Sequence, residues 1–396
     1  SRDLNGNGQI DSYVDGEFLG QLDECLLWTV NVGSVGGVPR AVAVDADGSV
    51  WVGLHGESRV VQLDPSDGHV LQEIAVPGFR PYGAAMDSHG RLWLVESLTG
   101  HILSIDTKTG SVGKSIAAPA PEDGCPSSYG IAVDPQDRVW IAGFTCPYAF
   151  SFDPSAGRWA SVHLPSSGVT RGIAADDHGQ IFVAASHEWI HIDTRSTFGF
   201  VDASDPITRL TVFRADDGGG VRIFGTRDAP LPGQGSIGVG LDSDGRAWLV
   251  NQQSGSATRV DVGSGEVKQF GAGDLPYTYS DFTGFALRRI AAPSGFIRGV
   301  IEGCAQGGSE WEQLEVDAAV PDASRIQIRI RVADTTAELA NASWIGPWSG
   351  TKIDLGAPPG PLPRSHLLEV EARLVSGDRR SSPALRQIVV RLNCPG

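Results

Sequence analysis

The residues best equipped for chemistry stand at the start of the chain. In RDLNGNGQID, the residues Asp3, Asn5, Asn7, Gly8 and Asp11 match D-x-[DN]-x-[DN]-G-x-x-D, the opening of a calcium-binding loop. Calcium prefers about six to eight hard oxygens. Side chains at the first, third and fifth positions wrap the ion, and Gly8 permits the sharp turn between them. The Gln9 carbonyl and Asp11 add two more ligands. Val14 stands where a full loop carries its closing glutamate, with Asp15 and Glu17 close by to replace it. The expected ion is therefore a structural calcium, held by Asp3, Asn5, Asn7, Gln9 and Asp11 in an N-terminal segment, 1–21.

Other acidic clusters invite a different reading. DADG (45–48), DSHG (87–90), DPQD (134–137), DDHG (176–179) and DSDG (242–245) each sit between two apolar alternating runs. There, aspartate and glycine supply hairpin-turn geometry, and equivalent turns spread apart instead of converging on one ion. No GxSxG, HExxH, GxxxxGK[ST] or CxxC motif is present.

Five cysteines remain: Cys25, Cys125, Cys146, Cys304 and Cys394. Cys125 and Cys146 lie close in sequence, each beside a proline, and suit a loop-pinning disulfide. Cys304 and Cys394 flank the last segment and suit a bridge from its first strand to its last, leaving Cys25 over. A Cys25–Cys304 bridge with Cys394 free is the alternative. Disulfides imply an oxidising compartment, and the opening Ser-Arg-Asp reads as a mature, processed protein. A secreted or cell-surface location follows as the expectation.

Composition narrows the classes. The formal charge is −16, with 47 acidic against 31 basic residues and no basic block, which disfavours nucleic acid as a partner. No apolar run reaches the ~18 residues of a membrane helix, so no transmembrane segment is expected. The 51 glycines and 24 prolines point to many short strands joined by tight turns.

The elements that must position these residues announce themselves as a repeat. AVAVDADGSVWVGL (41–54) recurs as GAAMDSHGRLWLVE (83–96), GIAVDPQDRVWIAG (130–143), GIAADDHGQIFVAA (172–185) and GVGLDSDGRAWLVN (238–251). The leading aspartates are spaced by 42, 47, 42 and 66 residues. A second hairpin follows each unit, so four strands every ~42 residues make one blade of a β-propeller. The long interval holds either an insertion in blade four, at 187–206, or a degenerate half-blade. Ring closure needs LLWTVNV (26–32) to pair with material near 278–290. Residues 22–290 are thus expected to form six blades, with seven as the alternative. Trp51, Trp93, Trp140 and Trp248 recur at one blade position and should pack between blades.

The GIAVDxxGxVWV unit resembles NHL-type and virginiamycin B lyase-type propellers over about residues 36–290. The lyase resemblance implies a magnesium-assisted histidine–glutamate pair in the late blades. Where that family often shows His-Gly-Ile, this chain has Ser236-Ile237-Gly238, and Asn251 stands where a carboxylate would serve. His187 and Glu188 are adjacent on a strand and point to opposite faces. Resemblance to gluconolactonase-like propellers implies channel calcium, to which Glu96 and Asn251 alone would contribute. The N-terminal segment likewise resembles the short calcium loops of dockerin-like and thrombospondin-like repeats.

A propeller binds its ligand at the mouth of its central channel. The residues leading into the first strands are Arg40, Tyr82, Tyr129, Arg171 and Ser236. Those leaving the second strands are His55, Glu96, Phe144, His187 and Asn251. From these, Arg40, His55, Tyr82, Glu96, Tyr129, Arg171, His187 and Asn251 are the candidate site, fit for an anionic or polar ligand or for one metal.

After Pro293 the period is lost, and 291–396 reads as a β-sandwich, similar to jelly-roll-like modules. The proline-rich stretch 342–365 should be an exposed, irregular connection, with Trp344 and Trp348 offering an aromatic contact for sugar or protein. The chain is thus expected to be all-β, a propeller followed by a sandwich. The function expected is a calcium-stabilised, non-catalytic binding or scaffold protein that recognises a protein or surface glycan. A metal-dependent lyase or lactonase at the channel mouth, and a self-assembling structural subunit of an extracellular appendage, are the competing readings.

Overall fold

A computed structural model describes residues 26–394, except 98, 120–127, 165–166, 194–198, 243, 279–293, 305, 323, 357–361 and 377–382. The proposed calcium loop, Cys25 and Cys125 lie outside the described residues. The chain divides into two units, Ser1–Ile290 and Ala291–Gly396.

Among the described residues, the first unit holds five antiparallel four-stranded blades. Blade one runs Pro39–Val44, Val50–Leu54, Arg59–Leu63 and Val70–Ala75. Blade two runs Gly83–Met86, Arg91–Val95, His101–Asp106 and Ile116–Ala117. Blade three runs Ser128–Val133, Val139–Gly143, Tyr148–Asp153 and Arg158–His163. Blade five runs Ser236–Leu241, Ala247–Asn251, Ser256–Val260 and Val267–Gly271.

Blade four decides the open question about the long interval. Its strands are Thr170–Ala175, Gln180–His187, Pro206–Arg214 and Arg222–Phe224. Between the second and third, a separate two-stranded hairpin, Ile190–Asp193 with Gly199–Ala203, is inserted. The strand Pro206–Arg214 pairs directly with Gln180–His187, so 187–206 is an insertion and not a half-blade.

First strands of successive blades pack against one another from blade one to blade five. Small residues there let backbones approach closely: a Cβ on Gly172 would come 2.6 Å from the Gly238 Cα. The core lies between blades. Trp51 packs with Met86, Leu92 and Leu94 of blade two, Trp93 with Ile131 and Phe150 of blade three, and Trp140 with Ile181 and Phe213 of blade four. Blade four puts Phe182 in the same place against Val239 and Leu249.

The turn aspartates hold those tryptophans. Asp134 Oδ1 accepts the backbone N–H of Gln136 and Arg138, while Oδ2 accepts Trp140 Nε1–H at 2.8 Å. Asp45–Trp51, Asp87–Trp93 and Asp242–Trp248 repeat the indole bond, each at 2.9 Å. These carboxylates are therefore structural turn residues.

The 26–32 segment forms no strand. It lies on the face of blade one turned away from blade two, where Trp28 and Val32 pack against Leu54 and Leu63. Trp28 Nε1 donates to the Pro65 carbonyl at 3.0 Å. The material expected to pair with it at 279–290 lies outside the described residues, as does any blade beyond the fifth.

The second unit has two sheets around one core. One orders Ser294–Glu302, Leu367–Ser376, Ser324–Ala333 and Ile345–Trp348. The other orders Lys352–Asp354, Glu310–Ala319 and Ala384–Asn393. Trp311, Leu314 and Val316 meet Ile326, Ile328, Ile330, Leu368 and Val370 between them. A disulfide joins Cys304 to Cys394. Cys146 is also disulfide-bonded.

The proline-rich stretch departs from expectation. Within 342–365 lie two short strands, one pairing with Ile328 and Ile330 and the other with Gln313 to Glu315. Proline and glycine mask a strand signal that these long neighbours impose by pairing.

Candidate functional site

The channel mouth brings six of the eight candidate residues into one neighbourhood. Tyr82 and Tyr129 end the approaches to the inner strands of blades two and three, and their rings lie 5.4 Å apart. Phe144, at the end of the second strand of blade three, stacks on Tyr129 at 4.8 Å. These three aromatics form a small buried cluster of their own.

Cations stand on this aromatic floor from two sides. The Arg40 guanidinium lies 5.3 Å from the Tyr82 ring centre. Arg171, only 6% exposed, lies 5.0 Å from Tyr129 and 4.8 Å from Phe144. Such cation–π stacking orients a guanidinium without neutralising it.

Histidines complete the ring. His55 sits edge-on to Tyr82, with centroids 6.1 Å apart. Burial holds its pKa below the ordinary histidine value, helped by Arg80 and Arg40 and opposed by Glu96. Burial also lowers His187, to about 4, with Arg171 adding to the effect. Its Nδ1 lies 2.8 Å from the Ser186 hydroxyl. Both imidazoles are neutral near pH 7, and one with so low a pKa is a weak base.

The other two candidates are held in place by their own surroundings. Glu96 accepts the backbone N–H of Arg80 at 3.0 Å and the Thr99 hydroxyl at 2.7 Å. Asn251 is fully buried in blade five. It accepts from Thr208 of blade four and donates to Ser256 and Thr258 of its own blade, so its amide ties the two blades together. Among the described residues, no three histidines, cysteines or carboxylates converge at the mouth. The one such group, Asp64, Asp67 and His69, lies in an outer turn of blade one.

Tyr277 was not foreseen. It follows the last strand of blade five, outside the repeat, and its hydroxyl lies 2.7 Å from that of Tyr82 and 2.5 Å from that of Tyr129. Its ring lies 5.7 Å from the Arg40 guanidinium. With Arg40, Thr278 and the first strands of blades one and two, it lines an open cleft of about 300 Å³. The sequence offered only an aromatic in DLPYTYS, with no spacing to link it to residues 148 and 195 positions earlier.

In the second unit, Trp348 packs onto the core. Trp344 lies over Arg329 and Arg331, 4.5 and 4.6 Å from its ring. Glu371, 4% exposed, accepts from Arg298 and Arg329 beneath. The two tryptophans therefore do not make one shared aromatic surface.

No family model matches the chain, and no curated protein matches it. Among solved structures, a streptogramin B lyase is 18% identical over 62% of this chain and 72% of its own, with a TM-score of 0.47. Selenomethionine-substituted virginiamycin B lyase from Staphylococcus aureus is 17% identical over 61% and 72%, with a TM-score of 0.48. A chain of a nidogen/laminin complex is 13% identical over 62% and 84%, with a TM-score of 0.47. These are likenesses of fold alone. The described chain is nearly all-β, and by its own successive four-stranded blades its first unit is a β-propeller.

Proposed function

We propose that this chain is a secreted or cell-surface, non-catalytic binding and scaffold protein, stabilised by calcium. Its propeller mouth would take an anionic group, such as a carboxylate, presented by a protein or glycan partner. The observation that carries this reading is the pair Arg40 and Arg171, standing on a floor of Tyr82, Tyr129 and Phe144. In a chain of net charge −16, a mouth with arginines over aromatics and two neutral histidines favours an anion locally. The same arginines would repel a divalent ion. Among the described residues, no carboxylate hydrogen-bonds to His55 or His187 to orient it as a general base, and the nearby Glu96 is engaged by Arg80 and Thr99, which favours binding over elimination chemistry.

The test is calorimetric titration with an oligoglucuronate and with its neutral glucose counterpart. Binding of the acidic oligosaccharide, weakened about tenfold or more by Arg40→Ala, is expected for a lost charge-assisted contact. Equal binding of the neutral probe, or no response to Arg40→Ala, would remove the basis of the reading.

A further inference from the structure

The two sheets of the second unit end in four edges, and three are blunted. Ile345–Trp348 is four residues long and carries Pro347, which has no N–H to offer. Lys352–Asp354 has three residues. Ala384–Asn393 is long, but its register against Glu310–Ala319 shifts twice, and it carries Arg386 and Arg391. Shortness, proline, bulges and charge are the devices that keep edges from pairing with other chains.

The fourth edge, Ser294–Glu302, has none of them except one arginine, Arg298, and a glutamate at its last position. Its nine residues pair with Leu367–Ser376 without a shift. Among the described residues, no strand pairs with its other side. Phe296, Ile297 and Val300 are 50%, 55% and 49% exposed. A Cβ on Gly295 or Gly299 would meet nothing within 4 Å, so the sheet face over these two glycines is open.

We propose that this edge pairs antiparallel with the same strand of a second copy of the chain, joining two four-stranded sheets into one. The strand is self-complementary about Ile297. A twofold axis there sets Ile297 against its copy, Gly295 against Gly299, and Phe296 against Arg298. Within one chain, the Arg298 guanidinium already lies 4.9 Å from the Phe296 ring, so these side chains suit each other. Centring on Arg298 instead would oppose two like charges. Charge thus disfavours that register, and Glu371 holds each Arg298 at 2.8 Å. This inference does not depend on what the channel mouth binds.

Sedimentation velocity on the full chain, across a protein dilution series, tests it. The unaltered chain should run as a dimer at high concentration, and Ile297→Lys as a monomer with an unchanged melting midpoint. Directly opposed Cβ atoms lie about 4.5–5.5 Å apart, near disulfide reach. Ile297→Cys should therefore cross-link to its own copy on mild oxidation, above the level of the unaltered chain, while Val389→Cys on the blunted edge should not. If Ile297→Lys fails to fold, the cross-linking pair decides. A monomer at every concentration, a dimer indifferent to Ile297→Lys, or equal cross-linking by Val389→Cys would each overturn the proposal.

Discussion

The Tyr277 hydroxyl stands 2.5 Å from that of Tyr129 and also reaches Tyr82, so three phenols meet at a single point of the channel mouth. Two of them belong to adjacent blades, and the third comes from the segment after blade five. One hydrogen-bonded contact thus links the second and third blades to the chain that follows the fifth.

Burial raises the pKa of Tyr82 and Tyr129 above the ordinary phenol value, with their neighbours adding to the effect at Tyr82 and Arg171 opposing it at Tyr129. Tyr82 and Tyr129 should stay silent when ultraviolet absorbance follows phenolate formation near pH ~10. Tyr277→Phe should leave both silent, because burial is the leading cause. If they ionise with the ordinary group in that variant, the hydrogen bonds and not burial set their state.

Asp134 accepts two backbone N–H groups, Arg138 Nε–H and the Trp140 indole while only 2% exposed. Asp134→Ala should lower urea stability by about 2–4 kcal/mol, since several buried donors lose their acceptor. Asp176→Ala should cost less, because Phe182 fills the indole position in blade four and offers no N–H. Equal losses would show that the indole bond contributes little.

His187 is buried, with a pKa of about 4 against an ordinary 6.5. The unfolded chain therefore binds a proton in this range that the folded chain refuses. The stability is fully present above pH 6.5 and is lost as pH falls toward 4. The loss amounts to at most about 3 kcal/mol. His187→Gln should flatten this part of the pH profile measured by urea midpoints. An unchanged slope would assign it to other groups.

The N-terminal loop predicts a metal effect of its own. Asp3→Ala with Asp11→Ala should lower the melting midpoint in calcium but not in chelator. If both proteins melt alike in calcium, the loop holds no stabilising ion.

How far the sequence was legible follows the range of the interactions involved. The blades could be read because each is specified locally: an aspartate reaches an N–H two and four residues on, and an indole six residues on. The insertion stayed ambiguous because the decision rests on pairing between Ile181 and Phe213, which no local pattern encodes. Ile345–Trp348 was misjudged since its extended form is imposed by Ile328 and Ile330. At the mouth, Arg40, Tyr82, Tyr129 and Arg171 could be placed by blade position, whereas Tyr277 lies outside the repeat and Asn251 proved to be a packing residue.

The hairpin inserted into blade four has a consequence for recognition. It leaves the ring from the end of the second strand, the side on which His187 and the other mouth residues lie, and Glu188 at its root is clamped to Arg209 at 2.6 Å. The blades already differ at the mouth, with Tyr82 and Tyr129 on two of them and Arg171 on a third. The hairpin adds a landmark beside His187 that no other described blade carries, so the unequal wheel gains a compass point.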